Sequence, residues 1–106
     1  MTADSTVEVV LMGELDIASA EDALRRVAEA ERGSPSLLVI DLSTLTFVDS
    51  SGVRVVLVAD DHARRAGRRL AIRLGKGPAL RVFSALGLVD RFEVLPARDD
   101  PSPDQA

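Results

Sequence analysis

The run Leu37-Leu38-Val39-Ile40-Asp41-Leu42 constrains the fold of this chain more than any other segment. A nearly continuous apolar strand is typical of a parallel sheet that is covered on both faces, because a half-exposed strand would alternate apolar and polar residues. Parallel strands must be joined by crossover connections, which are usually helices. The run therefore predicts an α/β fold in which this strand lies at the centre of the sheet.

Strand and helix patterns alternate along the rest of the chain. Aliphatic and β-branched runs predict strands at 7–12, 37–42, 69–74 and 92–95. Apolar residues at helical spacing, each series followed by a glycine, predict helices at about 19–32, 49–66 and 78–86. Ser19, with Asp22 three residues later, resembles a capping box at the start of the first helix. Short links and right-handed crossovers then predict about four mainly parallel strands with short helices.

The length of 106 residues suits one domain, which at this size buries about two-thirds of its unfolded surface. We expect residues 1–6 to form a flexible arm, residues 7–96 the domain, and residues 97–106 a disordered, acidic, proline-rich tail. The chain has no Cys and one His, which excludes thiolate catalysis, disulfides and nearly all zinc chemistry. The sequence predicts no cofactor and no metal.

Charge and hydropathy narrow the range of partners. The formal net charge is −4 and the basic residues are dispersed, which opposes nucleic-acid binding through phosphate neutralisation. No apolar run approaches the 18 or so residues of a membrane span, and the N-terminus lacks a signal-peptide pattern. We therefore expect a cytoplasmic protein that binds neither nucleic acid nor membrane.

Polar links after the strands are the candidate sites, because ligands of parallel α/β sheets bind at the carboxyl ends of strands. A hydrolase is disfavoured: Ser51 is not in a G-x-S-x-G pattern, and the only histidine, His62, would lie roughly 16 Å along the same helix. A receiver-like phospho-aspartate site on Asp16, Asp49 and Lys76 lacks the adjacent acidic pair that would hold Mg²⁺. The turn at 75–77 lacks a phosphate-loop motif and is followed by Pro78, which has no N–H to donate.

The segment Asp49-Ser50-Ser51-Gly52 at the start of the second helix has two interpretations. A hydroxyl there is an ordinary N-cap, worth about 1 kcal/mol, and the structural role of Asp49 is likewise to cap the helix. The same helix N-terminus also tolerates a phosphate on a serine, which adds a charge of about −1.5 to −2 between apolar Phe47 and Val53. Such a charge would leave the domain folded and repel a partner.

Several segments together resemble the STAS domain, specifically the bacterial anti-sigma factor antagonists. The resemblance covers roughly residues 7–95, and its most specific part is the Phe-Val-Asp-Ser-Ser-Gly segment. The matching segments are Gly13-Glu14-Leu15-Asp16, Asp41-Leu42-Ser43, Phe47-Val48-Asp49-Ser50-Ser51-Gly52-Val53, Ala66-Gly67 and Gly87-Leu88.

The resemblance implies a small β-α superhelix that binds an anti-sigma factor with serine-kinase activity and thereby frees a sigma factor. It implies that the kinase phosphorylates Ser51, that a PPM-type phosphatase reverses the modification, and that the chain itself is not an enzyme. We expect the partner to contact Asp16, Phe47, Asp49, Ser50, Ser51, Gly52, Val53 and Arg54.

Two departures from the family pattern concern the ends of the domain. Members commonly begin with an extra strand, for which residues 1–6 are too short, and often end in a further helix, for which the tail is unsuited. An uncovered sheet edge can pair with another chain, so a monomer and a weak dimer are both consistent with the sequence. An alternative function is a STAS scaffold subunit of a larger assembly, such as a lipid-transport complex, that is not phosphorylated.

Overall fold

The computed structural model describes residues 5–98 as an α/β fold, as the sequence predicts. All four predicted strands and all three predicted helices are confirmed, with ends that shift by no more than two residues. The elements in chain order are β1 (Thr6–Val10), β2 (Gly13–Leu15), α1 (Ala20–Glu31), β3 (Leu37–Asp41), β4 (Leu45–Val48), α2 (Ser50–Arg65), β5 (Arg69–Arg73), α3 (Pro78–Ala85), a single 3-10 turn (Val89–Arg91) and β6 (Glu93–Leu95).

The main sheet has four parallel strands in the order β1-β3-β5-β6. The apolar run predicted to be central is β3, which pairs with β1 on one side and β5 on the other. Val9, Ile40 and Ile72 occupy one row across these strands, and all three belong to the hydrophobic core. This core joins the sheet to the three helices through Val27, Val56 and Phe83 among others.

The second face of the sheet is covered differently. Val39, at 1% exposure, is buried but is not part of the core cluster, because alternate side chains of a strand point to opposite faces. Arg73 on β5 donates to Glu8 on β1 at 2.9 Å, so this ion pair crosses over β3, which lies between the two strands. Burial of β3 on both faces is therefore achieved with helices on one side and an ion pair on the other.

Further ion pairs link neighbouring elements at the edges of the domain. Arg68 donates to Glu31 and to the carbonyl of Pro35, and so ties the end of α1 to the approach of β5. Arg69 on β5 donates to Glu93 on β6. This hydrogen bond holds the pKa of the Glu93 carboxyl below its ordinary value.

The short strands β2 and β4 were not predicted: the sequence indicated a turn at 13–16 and a connection at 43–47. The two strands form a separate parallel pair, with Glu14 opposite Phe47 and Leu15 opposite Val48. With only three and four residues, they are too short to show a strand period. Their pairing brings the segments that precede α1 and α2 together.

At the two ends of the described chain, β1 begins at Thr6, inside the predicted arm. Ser5 accepts from the backbone N–H of Ser36 and donates its own N–H to the Ser36 hydroxyl. Arg98, just past the predicted domain boundary, pairs with Glu8. The rest of the predicted arm (1–4) and tail (99–106) lies outside the described residues. Within residues 5–98, β1 pairs only with β3, and none of the helices is long and apolar enough to cross a membrane.

Val56→Asp tests the buried face of α2. Val56 is fully buried in the core, so the substitution places an unpaired charge there and is expected to cost about 4 kcal/mol or more. The exposed neighbour Arg54 is the control, since Arg54→Glu is expected to change stability by less than about 0.5 kcal/mol. Urea unfolding of both variants measures this, and equal destabilisation would contradict the assignment of helix faces.

Candidate functional site

Asp49 organises the N-terminus of α2. Its backbone is extended, and its carboxylate accepts from the N–H groups of Ser51 at 2.9 Å and Gly52 at 3.1 Å. These are two of the N–H groups that a helix leaves without a partner in its first turn. The N-cap interpretation of Asp49 is therefore confirmed. The cap also fixes the backbone of Ser51.

Gly52 joins α2 to the β2–β4 pair. A Cβ at this position would lie 2.5 Å from the Leu15 carbonyl oxygen and 2.8 Å from the Leu15 Cγ, closer than real contacts allow. The same carbonyl oxygen accepts from the N–H of Asp49 at 3.3 Å. Glycine is required here because the backbone of β2 occupies the space of a side chain.

Asp16 closes the loop between β2 and α1. Its carboxylate accepts from the N–H groups of Ala18 at 3.0 Å and Ser19 at 3.1 Å. The predicted capping box is wrong: the Ser19 hydroxyl turns back and donates to the Glu14 carbonyl at 2.8 Å, and Asp22 pairs with Arg25 instead. Asp16 is thus engaged in shaping the loop beside the α2 N-terminus.

The two serines of the motif differ in environment. Ser51 is half-buried and lines a cavity of about 290 Å³ between α1 and α2, together with Ile17 and Arg54. Ser50 is exposed and does not line this cavity. Within residues 5–98 neither hydroxyl makes a hydrogen bond, whereas Ser51 has a cation three residues away, one turn along the helix.

The other predicted partner contacts divide into surface and core residues. Phe47 on β4 is 47% exposed and Arg54 is exposed, as expected of a contact surface. Val53, at 3% exposure, belongs to the core, so the prediction that it flanks an exposed surface is corrected. Gly52 is buried against Leu15 and offers no side chain to a partner.

Two exposed apolar residues at this end of the molecule escaped the sequence analysis. Met12 is 71% exposed and Ile17 is 80% exposed, and both flank the Gly-Glu-Leu-Asp segment. A signal was available for Ile17, a large apolar residue between the predicted strand and the predicted helix, whereas Met12 falls at the end of the predicted strand at 7–12. The sequence alone did not show that they lie at the surface.

The other residues considered as candidates from the sequence are His62 on α2 and the turn at 75–77. His62 lies on the same uninterrupted helix as Ser51 and is exposed. Lys76 is exposed, and Gly75 is needed for a positive φ of 66° and for close approach to Ser43, where a Cβ would lie 2.7 Å from the Ser43 Cβ. Among residues 5–98, no three His, Cys, Asp or Glu side chains converge as a metal site requires.

Comparison with known proteins identifies similar folds. The STAS domain family model matches residues 2–100. An anti-sigma factor antagonist from Mycobacterium paratuberculosis aligns with a TM-score of 0.78 at 27% identity, covering 94% of this chain and 85% of that one. The anti-sigma factor antagonist SpoIIAA in its unphosphorylated form aligns with a TM-score of 0.73 at 25% identity, covering 93% and 85%. The Bacillus cell fate determinant SpoIIAA in its phosphorylated form aligns with a TM-score of 0.67 at 28% identity, covering 93% and 88%.

Gly52→Ala tests the close approach of α2 to β2. The added methyl group meets a backbone oxygen that cannot rotate away, so the substitution is expected to cost about 1–3 kcal/mol. Gly33→Ala is the matched control, because a Cβ at Gly33 meets no atom within 4 Å; it is expected to be neutral or stabilising by up to about 1 kcal/mol. Thermal unfolding of the two variants measures both effects. Unchanged stability of Gly52→Ala would show that β2 can move aside.

Proposed function

We propose that this chain, which belongs to the STAS domain family, is an anti-sigma factor antagonist that binds an anti-sigma factor serine kinase and is switched off by phosphorylation of Ser51. Binding of the unmodified chain sequesters the anti-sigma factor and releases a sigma factor. A PPM-type phosphatase restores the active form. In this scheme the chain is a substrate and a binding module and performs no catalysis.

The observation that carries the proposal is the position of Ser51. Its hydroxyl makes no hydrogen bond within residues 5–98, lies at the N-terminus of a sixteen-residue helix and opens onto a surface cavity. The exposed apolar side chains of Ile17 and Phe47 belong to the segments that precede α1 and α2. A free serine beside apolar surface suits a residue that a partner covers when it is unmodified.

A phosphate on Ser51 would leave the domain folded because the local electrostatic contributions oppose one another and are small compared with the stability of a domain. The Asp49 carboxylate, which accepts from the Ser51 N–H, repels the phosphate. The positive end of the α2 dipole attracts it by about 0.3–2 kcal/mol, and the Arg54 guanidinium lies one turn away. None of these contributions approaches the 5–15 kcal/mol by which a typical domain is stable.

At an interface the same phosphate has a much larger effect. A partner that covers the Ser51 cavity must strip water from the dianion or fail to close over it. A penalty of about 4 kcal/mol weakens binding roughly a thousandfold, since each 1.4 kcal/mol is a factor of ten. Phosphorylation therefore changes binding without changing the fold.

The paired variants Ser51→Ala and Ser50→Ala test the site of modification, because each removes one hydroxyl from the same helix turn. After incubation with the kinase and ATP, mass spectrometry is expected to find phosphate on Ser50→Ala and none on Ser51→Ala. Titration calorimetry is expected to show that phosphorylated wild type binds the kinase roughly a thousandfold more weakly than unmodified protein. Ser51→Ala is expected to bind constitutively. Ser51→Asp is expected to bind weakly because it places a negative charge at the same position, though less weakly than the phosphoprotein, since a single carboxylate imitates a dianion only in part.

Two results would contradict the switch. One is phosphate on Ser50 with Ser51 unmodified. The other is a Ser51 phosphoprotein that binds the kinase as tightly as the unmodified chain does, which would leave the modification without a consequence for binding.

The free protein is expected to bind neither Mg²⁺ nor nucleotide tightly. Gly75 and Gly77 frame a turn against Ser43 rather than a phosphate loop, and Pro78 at the start of α3 removes an N–H donor. Calorimetric titration with Mg²⁺ and ATP or GTP is expected to give little heat. Micromolar affinity for GTP would instead indicate a nucleotide-sensing role.

A further inference from the structure

A continuous groove runs between α1 and α2, starting at Ser51. The cavity at Ser51 shares Glu21, Leu24 and Val58 with a second cavity of about 470 Å³. The second shares its far end with a third cavity of about 440 Å³, which reaches Arg65. From Ser51 to Arg65 the helix rises about 21 Å, at 1.5 Å per residue.

The first two cavities of the groove have an apolar interior, whereas charged side chains line most of the third. The rim is basic on the α2 side and carries the exposed Glu21 on the α1 side. Leu24 and Val58 lie half-buried inside the groove, and Ala28 leaves it open three residues before the end of α1. The exposed α2 side chains along its rim are Arg54, His62 and Arg65. Arg65 pairs with Asp61, whereas Arg54 has no ion pair within residues 5–98. Arg54 therefore remains available to an acidic side chain of a partner.

We propose that this groove docks an amphipathic helix of the anti-sigma factor kinase, with its apolar face in the groove and acidic side chains along the edge that meets α2. The inference rests on the function proposed above and extends it to a surface outside the Asp-Ser-Ser-Gly motif. A groove of this length accommodates a helix of about 14 residues, with apolar anchors three or four residues apart in the first two cavities. The most exposed apolar side chain at the Ser51 end, Ile17, then covers the end of that helix.

The groove and the switch are continuous, because Ser51 lines the first cavity together with Arg54. In the unmodified chain Arg54 is available to an acidic side chain of the docked helix. A phosphate on Ser51 brings a dianion to within one helical turn of Arg54, so it takes up that cation and repels the acidic edge of the partner. Phosphorylation at one end of the groove thereby opposes docking along it.

Substitutions far from Ser51 test whether the partner extends along the groove. Ala28 lies eleven residues beyond Ile17, is exposed, and sits on a helix that tolerates Glu and Lys. The probe is an anti-sigma factor serine kinase from the same genome that forms a complex with the unmodified chain, held in ADP. Its Kd is measured by calorimetry for wild type, Ile17→Ser, Ala28→Glu, Ala28→Lys and Ser51→Asp. Ala85→Glu, an exposed alanine on α3 outside the groove, is the matched control.

Ile17→Ser and Ala28→Glu are expected to weaken binding at least tenfold, Ala28→Lys to weaken it less than Ala28→Glu, and Ala85→Glu to stay within twofold of wild type. Thermal unfolding checks that every variant is folded. If Ile17→Ser and Ala28→Glu bind like wild type while Ser51→Asp fails to bind, the groove proposal is overturned and the switch stands. If the groove variants lose binding while Ser51→Asp binds normally, docking in the groove is supported and the phosphorylation switch is contradicted.

Two further results would overturn the assigned occupant. If Ala28→Glu and Ala28→Lys weaken binding equally, the docked helix does not carry an acidic edge. Analytical ultracentrifugation of the chain alone is expected to show no change of oligomeric state in the groove variants. If instead those variants altered only self-association, the occupant would be a second copy of this chain.

Discussion

Gly52 lies so close to Leu15 that a single methyl group would overlap the Leu15 carbonyl oxygen. The missing side chain lets the start of α2 approach the end of β2, and the same oxygen accepts the N–H of Asp49. The position of Asp49 in turn sets its carboxylate over the free N–H groups of Ser51 and Gly52. Loss of the close approach would therefore disturb the cap and the orientation of Ser51 together.

The helix that carries Ser51 has a buried face and an exposed face. Val53 and Val56 lie in the core, whereas Arg54 and the half-buried Ser51 remain at the surface. Because the core face anchors the helix independently of the serine, a charge can be added at its N-terminus without removing any buried contact. This division is what the proposed phosphorylation of Ser51 requires, since the modification would act on a partner and leave the domain intact.

The main sheet was predictable from sequence because its strands are long enough to show their patterns. The continuous apolar character of residues 37–42 indicated the central strand, and the glycines after each helix marked the helix ends. The β2–β4 pair was not predictable, since three- and four-residue strands carry no period and their pairing is a contact between segments about 30 residues apart. The capping box failed for a related reason: Ser19 bonds to the carbonyl of Glu14, which only the folded loop brings within reach.

The candidate site divides in the same way. The residues Asp49-Ser50-Ser51-Gly52 by themselves determined that a polar, anion-tolerant helix N-terminus lies at this point of the chain, because capping depends on residue types a few positions apart. Only the tertiary structure decided that Ser51 opens onto a cavity, that Val53 is buried, and that Ile17 stands exposed beside the same cavity. These outcomes depend on how α1 packs beside α2, and that packing is set by contacts between residues distant in the chain. The local sequence thus determined the chemistry of the helix N-terminus, whereas the packing of α1 beside α2 determined the surface around Ser51.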